Sequence, residues 1–243
     1  MARRRFFVDQ VRKGQAEIIG DDAHHLTRVL RVEVGQKFEI TDNHRAWLAQ
    51  VETARKDLVR FDVIEEIAAG PELPCVTLYL ALIKFDRFEW AVEKATELGV
   101  TRIVPVEANR SEQGLFAGAH KRAERWKRIA RESSEQSRRL RVPEIGDPMR
   151  LSEVLKDPAT HRCLLDESPG AKPLLNAFGF GAGDSVALAI GPEGGWIDGE
   201  RQNFSEAGWT AASLGPSILR AETAVCAALS VIAQMWLIAD DTG

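Results

Sequence analysis

Cysteine is scarce in this chain, and what there is does not pair. Cys75, Cys163 and Cys226 are odd in number, widely spaced, and outside any CxxC motif or usefully spaced histidine set. That argues against a disulfide framework and against a zinc site, and no metal is expected. Three small buried hydrophobes in a reducing compartment is the plainer reading, and it points to a cytoplasmic protein. The first ten residues, MARRRFFVDQ, are basic but carry no apolar segment, so they do not read as a secretory signal. Only one long apolar run occurs, over residues 221–239. It includes Glu222, Thr223, Ser230 and Gln234, and a glutamate in lipid is costly. A buried helix, at a subunit interface for instance, explains the run better than a membrane span. Dinucleotide-type GxGxxG and P-loop GK[ST] signatures are both missing.

What is present is an ordinary globular composition, 44% hydrophobic and 28% charged. The 243 residues suit one large domain or two modest ones. A net charge of −4 taken alone speaks against nucleic acid, but its distribution speaks for it. From His120 to Arg141 nine Lys/Arg face three Glu, a net +6 that leaves −10 for the rest of the chain. Such a stripe suits phosphate binding, since counterion release drives association. A solvated helix laced with i, i+4 ion pairs is the alternative.

Residues 1 to about 70 read as β-rich. RRFFV, QAEIIG, QKFEI, AWLAQV and LVRFDVIEEI are short strand-like runs with one helical turn, His24 to Arg31, among them. Strands at this spacing suggest a small barrel. Gly70-Pro71 and Pro74 mark a boundary, giving units 1–71 and 72–243. Beyond it, VTLYLALI is an unbroken apolar run of the kind covered on both faces. Helices are expected from Asp86 to Leu98, over 119–136, near 198–207 and from about 221, alternating with strands at TRIVPV, 162–166 and 185–190. That alternation predicts an α/β fold with a mainly parallel sheet.

Two loops stand out. SVALAI runs directly into GPEGGW (Gly191 to Trp196), a glycine-rich loop at a strand's carboxyl end, where open α/β sheets bind ligands. A plain strand-to-helix turn is the alternative. LGPSILRAETA (Leu214 to Ala224) follows the short strand TAASL and leads into the apolar helix. Gly191 and Gly215 are 24 positions apart, so the two loops could wall one pocket. Ser217, Arg220, Glu222 and Thr223 at the second junction read equally as helix caps.

Read in order, RFFV, HHLTRVLRVEVGQ, KFDRFEWAVEKATELGVTRIVP, ERWKRIARESSEQSRR–VPEI, LAIGPEGGW and LGPSILRAETA span nearly the whole chain. Together they resemble the RsmE family, the 16S ribosomal RNA uridine-N3 methyltransferases of the SPOUT superfamily. Ala221 and Asn109-Arg110-Ser111 depart from the family's usual residues without touching the loop backbones.

The resemblance implies a PUA-like β-barrel that helps dock RNA, followed by a SPOUT domain with a deep trefoil knot. It implies a homodimer, S-adenosylmethionine (SAM) as cofactor and 16S rRNA, within the small ribosomal subunit, as partner. SAM would be held mostly by backbone at Ile190, Gly191, Pro192, Gly194, Gly195, Leu214, Gly215, Ser217, Ile218 and Leu219, with Leu165 as an apolar wall. Uracil N3 carries a proton at neutral pH, so a base or an oxyanion stabiliser is needed. Glu193 and Glu222 are the base candidates; Arg220 and Arg5 are the stabilisers. RNA phosphates would meet Arg3, Arg4, Arg28, Arg31, Arg110, Lys121, Arg125, Arg128, Arg138 and Arg139. His24 and His25 read as base-stacking or local packing, and Trp126 as a core anchor. Two other readings stay open, a SPOUT enzyme acting on a ribose 2′-hydroxyl or on tRNA, and a non-catalytic RNA-binding assembly factor.

Overall fold

The structure, a computed structural model, describes residues 4–68, 70, 73–181 and 183–240. It divides into two compact units. The first comprises Met1–Glu72 together with Glu132–Val142; the second comprises Leu73–Arg131 and Pro143–Gly243. The first unit thus takes in an eleven-residue segment from far along the chain.

In the first unit, β1 (Arg5–Phe7), β2 (Gln15–Ile19), β3 (Lys37–Thr41), β4 (Ala46–Arg55) and β5 (Leu58–Ile67) form one sheet in the order β1-β3-β4-β5-β2. β1 runs parallel to β3 and the other pairs are antiparallel. β2 shows why: QAEII alternates exposed and buried, the signature of a sheet with one wet face. Register shifts at Leu48/Ala49 and Val51/Thr53 curl the long β4–β5 pair, as a PUA-like barrel requires. Its core is Phe6, Ile40, Trp47, Val59 and Phe61, against which α1 (Gly20–Arg28) lays Ala23 and Leu26. The late segment is tied in by polar contacts. Thr41 Oγ1 donates to the Leu140 carbonyl at 3.0 Å, Arg138 pairs with Glu39 at 3.4 Å, and Arg141 Nε donates to the Asn43 carbonyl at 3.1 Å.

The second unit is an α/β layer structure. Its strands are β6 (Cys75–Ala81), β7 (Arg102–Glu107), β8 (Glu144–Ile145), β9 (Met149–Arg150), β10 (His161–Leu165), β11 (Lys172–Pro173), β12 (Ser185–Ile190) and β13 (Thr210–Ser213). They pair in the order β11-β13-β10-β12-β6-β7-β8, with β9 also on β7, and every pairing is parallel. β12 is buried from Val186 to Ile190 without alternation, because helices cover both sheet faces. The helices are α2 (Phe85–Glu97), α3 (Leu115–Gln136), the short α4 (Leu151–Val154), α5 (Asp198–Glu206) and α6 (Ala221–Asp240). Phe88, Ala91, Val92 and Ala95 of α2 are buried at helical spacing. Trp126 of α3 is fully buried, 4.5 Å from the ring of Phe88, as a core anchor should be. α6 is long and apolar enough to cross a membrane by length and composition, yet it packs on α2 and carries buried Val225, Ala228, Leu229 and Ile232.

The three cysteines do not share one environment. Cys163 is buried, Cys226 half-buried and Cys75 exposed on β6, so the expectation of three buried thiols holds fully for Cys163 alone. Burial pushes the Cys163 thiol up to about 12 and raises that of Cys226. Because the thiolate is the nucleophile, alkylation of the native protein near pH 8 is expected to modify Cys75 first and Cys163 only after denaturation. Peptide mass mapping of a time course checks the order.

Candidate functional site

Three neighbouring parallel strands, β13, β10 and β12, end side by side. The chain runs from β10 to β11 at the edge beyond β13, crosses to β12 on the other side of β10, then returns across β10 to β13. Progress through the sheet therefore reverses at β10, the kind of point at which α/β sheets bind ligands beyond the carboxyl ends of their strands. An open cleft lies there, lined by the ends of these three strands and the loops that follow them.

The end of each strand and the loop after it supply a wall: Leu165, Asp166 and Glu167 from β10; Ile190, Gly191, Pro192, Gly195 and Trp196 from β12; Ser213, Leu214, Gly215, Ser217, Ile218 and Leu219 from β13. Ten of the eleven residues expected to hold a cofactor line this cleft, and Gly194 does not. Asp166, Glu167, Ser213, Trp196 and the α6 residues Ala221 and Ala224 line it without having been expected. Ala221, a departure from the family's usual residue, is therefore part of the wall.

The glycines of the β12 loop have separate physical roles. Gly195 has φ +67°, and its N–H closes a turn on the Pro192 carbonyl at 2.8 Å. Glycine adopts this left-handed conformation without strain. Gly191 leaves room for protein, since a Cβ there would lie 3.0 Å from Trp196 Nε1. Trp196 is buried, T-shaped against Phe204 at 5.1 Å, and donates from Nε1 to the Leu165 carbonyl at 3.1 Å, binding the β10 and β12 loops together. At Gly194 a Cβ would meet the Arg110 stem at 3.1–3.2 Å, and the Arg110 guanidinium donates to the Gly194 carbonyl at 2.5 Å. Buried Glu200 accepts from the N–H of Asn109 at 2.8 Å and of Ile197 at 3.0 Å, which fixes the start of α5. Asp166, its side chain 3% exposed, takes Arg201 Nε at 3.1 Å and the Ser168 hydroxyl at 2.6 Å.

Among the described residues, none of the four catalytic candidates lines the cleft. Glu193 pairs with Arg87 of α2. Arg220 is exposed between Leu219 and Ala221, both cleft residues. Glu222 faces Cys226 on the side of α6 near Lys94 and Glu97, with Oε2 buried and without a hydrogen-bond partner among the described residues. Arg5 belongs to the first unit, is buried, and pairs with Glu39 at 2.9 Å.

These features match known proteins along most of the chain. Residues 71–233 match the family model of the RNA methyltransferase domain, and residues 18–64 that of the RNA methyltransferase PUA domain. The ribosomal RNA small subunit methyltransferase E of Bacillus subtilis is 33% identical, with 94% of this chain and 95% of that protein aligned. This chain belongs to the ribosomal RNA small subunit methyltransferase E family. The enzyme of that name from Aquifex aeolicus is 30% identical over 93% of this chain and 97% of its own. Among solved structures, the methyltransferase E of Neisseria gonorrhoeae, bound to SAM, superimposes with a TM-score of 0.83 at 27% identity, covering 96% of this chain and 98% of that one.

For a methyltransferase E, the positions of the expected RNA contacts divide by unit. Arg3 lies outside the described residues. Arg4 is half-buried; Arg28 and Arg31 are exposed on the first unit, as is Arg138 beside Glu39. Burial pushes the Arg139 guanidinium down to about 10, still charged at neutral pH. On the second unit Lys121 and Arg128 of α3 are exposed, whereas Arg125 is engaged with Glu89 at 2.7 Å. The basic stripe seen as one run of sequence is thus shared between the two units, and the division falls at Glu132, within α3, before the helix ends at Gln136.

Proposed function

We propose that this chain methylates N3 of a uridine in 16S rRNA of the small ribosomal subunit, using SAM held in the β10–β12–β13 cleft. The cleft carries the reading. Leu165, Ile190, Leu214, Ile218 and Leu219 offer apolar surface for a purine. Glu167 provides negative charge for a sulfonium or an ammonium, Asp166 being engaged with Arg201, and Ser213 and Ser217 add hydroxyls. The SAM-bound Neisseria gonorrhoeae structure supports the same assignment.

SAM supplies an electrophilic methyl group, so the protein's part is position and environment. The three loops hold the ligand against the sheet end and exclude water from one side. Uracil N3 lies on the pairing edge, so the acceptor base must be unpaired or flipped out. Arg220 stands at the cleft rim and is our candidate for stabilising the uracil oxyanion left when the N3 proton departs. Arg220→Ala is expected to lower kcat about a hundredfold and to leave SAM affinity within a factor of two or so. Equal loss of both would place Arg220 in cofactor binding. Mass mapping of methylated nucleosides in 16S rRNA, with and without the active protein, tests the reaction itself. Appearance of a ribose methyl or a modified tRNA would redirect the assignment, and no SAM-dependent thermal shift would favour an assembly factor.

The enzyme is read as a cytoplasmic homodimer. Leu237, Ile238 and Ile218 are exposed apolar side chains on or beside α6, as expected of a helix completed by a second copy. Sedimentation at micromolar concentration is expected to give a dimer. The strand reversal at β10 supports loops 190–196 and 214–220 as the two loops of a trefoil knot.

Phosphate contact is assigned on the second unit to Lys121 and Arg128, because Arg125 is already paired. Lys121→Ala/Arg128→Ala is expected to weaken RNA binding and reduce its salt slope by about 0.7–0.9 per lost phosphate contact. An unchanged slope would remove α3 from the RNA surface.

A further inference from the structure

The turn at 192–195 has two sides. Pro192 and Gly195 line the cleft, while Glu193 and Gly194, which do not, are gripped by two arginines from separate elements. Arg87, in the first turn of α2 after β6, pairs with the Glu193 carboxylate. Arg110, in the loop after β7, lays its stem against Gly194 and donates to the Gly194 carbonyl. Both partners belong to the turn itself, and neither arginine lines the cleft. The contacts differ in kind, one to a side chain and one to backbone, and together they restrain consecutive residues.

We propose that Arg87 and Arg110 are positioning residues that clamp the 192–195 turn from outside and so set the angle at which the cleft presents its ligand to the acceptor base. The inference rests on the cofactor reading above but makes a separate claim. Glu193 then acts as the handle of the clamp, and Arg110 serves the loop instead of an RNA phosphate. Without the clamp the turn still forms, because Gly195 N–H on the Pro192 carbonyl is local, but it opens more often. Small misplacements of a reacting group carry large rate penalties, up to about a hundredfold for 1 Å.

Hydrogen exchange at the Gly195 amide, in the protein without cofactor, reads the clamp directly. Arg87→Met and Glu193→Gln should each speed it about threefold to fivefold, the scale of a half-exposed ion pair. The double variant should be no faster than either single one, since one interaction is removed in all three. Arg87→Lys should restore most of the protection, and Arg110→Met should speed exchange independently. In methyl transfer the same variants should lose about tenfold in kcat with little change in the RNA KM. Unchanged exchange in Arg87→Met and Arg110→Met would overturn the proposal. So would additive effects of Arg87→Met and Glu193→Gln, or a flattened RNA salt slope with kcat intact, which would mark the arginines as phosphate contacts. A wild-type protein that binds no SAM would defeat the cofactor reading alone, and the exchange measurement would still decide the clamp.

Discussion

Gly191→Val is expected to abolish SAM binding, by a factor above about a hundred, and to destabilise the second unit at the same time. A Cβ at residue 191 would sit 3.0, 3.1 and 3.3 Å from three atoms of the Trp196 indole. That ring cannot retreat easily: it is 2% exposed, stacked edge-on with Phe204, and bonded through Nε1 to the Leu165 carbonyl. Relief of the clash would displace the indole and release the β10 loop, moving two cleft walls together. Overpacking a core typically costs about 1–3 kcal/mol. At about 2–4 °C per kcal/mol for a chain of this size, the midpoint should fall by several degrees. Calorimetric titration with SAM and a thermal melt measure the two effects. Lost affinity with an unchanged melt would mean that residue 191 is small to admit the ligand, not Trp196. Unchanged affinity in a folded variant would take the loop out of the site.

Trp126→Ala should cost about 3–5 kcal/mol without a direct effect on RNA. The side chain is fully buried on α3, against Phe88 at 4.5 Å and Phe85 at 6.0 Å. Its indole nitrogen is buried without a hydrogen-bond partner among the described residues. Shape and apolar area therefore account for its contribution, and Trp126→Phe, which leaves a smaller cavity, should lose clearly less than Trp126→Ala. Chemical denaturation of both variants gives the comparison. A Trp126→Ala protein of normal stability but weakened RNA affinity would show instead that the ring stacks on a base.

The β-strands and helices were legible because their patterns are local. Alternation in QAEII and its absence in SVALAI distinguish a one-faced from a two-faced sheet directly. The spacing of Phe88, Ala91, Val92 and Ala95 does the same for α2. The very short strands β8, β9 and β11 were not legible, since two residues carry no period; they exist because a neighbouring strand offers them hydrogen bonds. The two loops that line the cleft could be picked out because glycine and proline at strand ends are a local signal.

Sequence by itself therefore determined the α/β class, the β-rich first unit, and the glycine-proline loops after β12 and β13. Tertiary structure alone decided what the residues in those loops do. A run of charges does not reveal that Arg125 is engaged with Glu89, or that 132–142 leaves the second unit for the first. A glycine motif does not tell that Gly191 yields space to an indole and Gly194 to an arginine stem. Asp166, Glu167 and Trp196 entered the cleft only when parallel pairing set β10 between β12 and β13. The reason is physical. Secondary structure follows from periodicity within a few turns of chain, whereas a binding site is a meeting of loops 20 to 50 residues apart, and only the register and order of the strands bring them together.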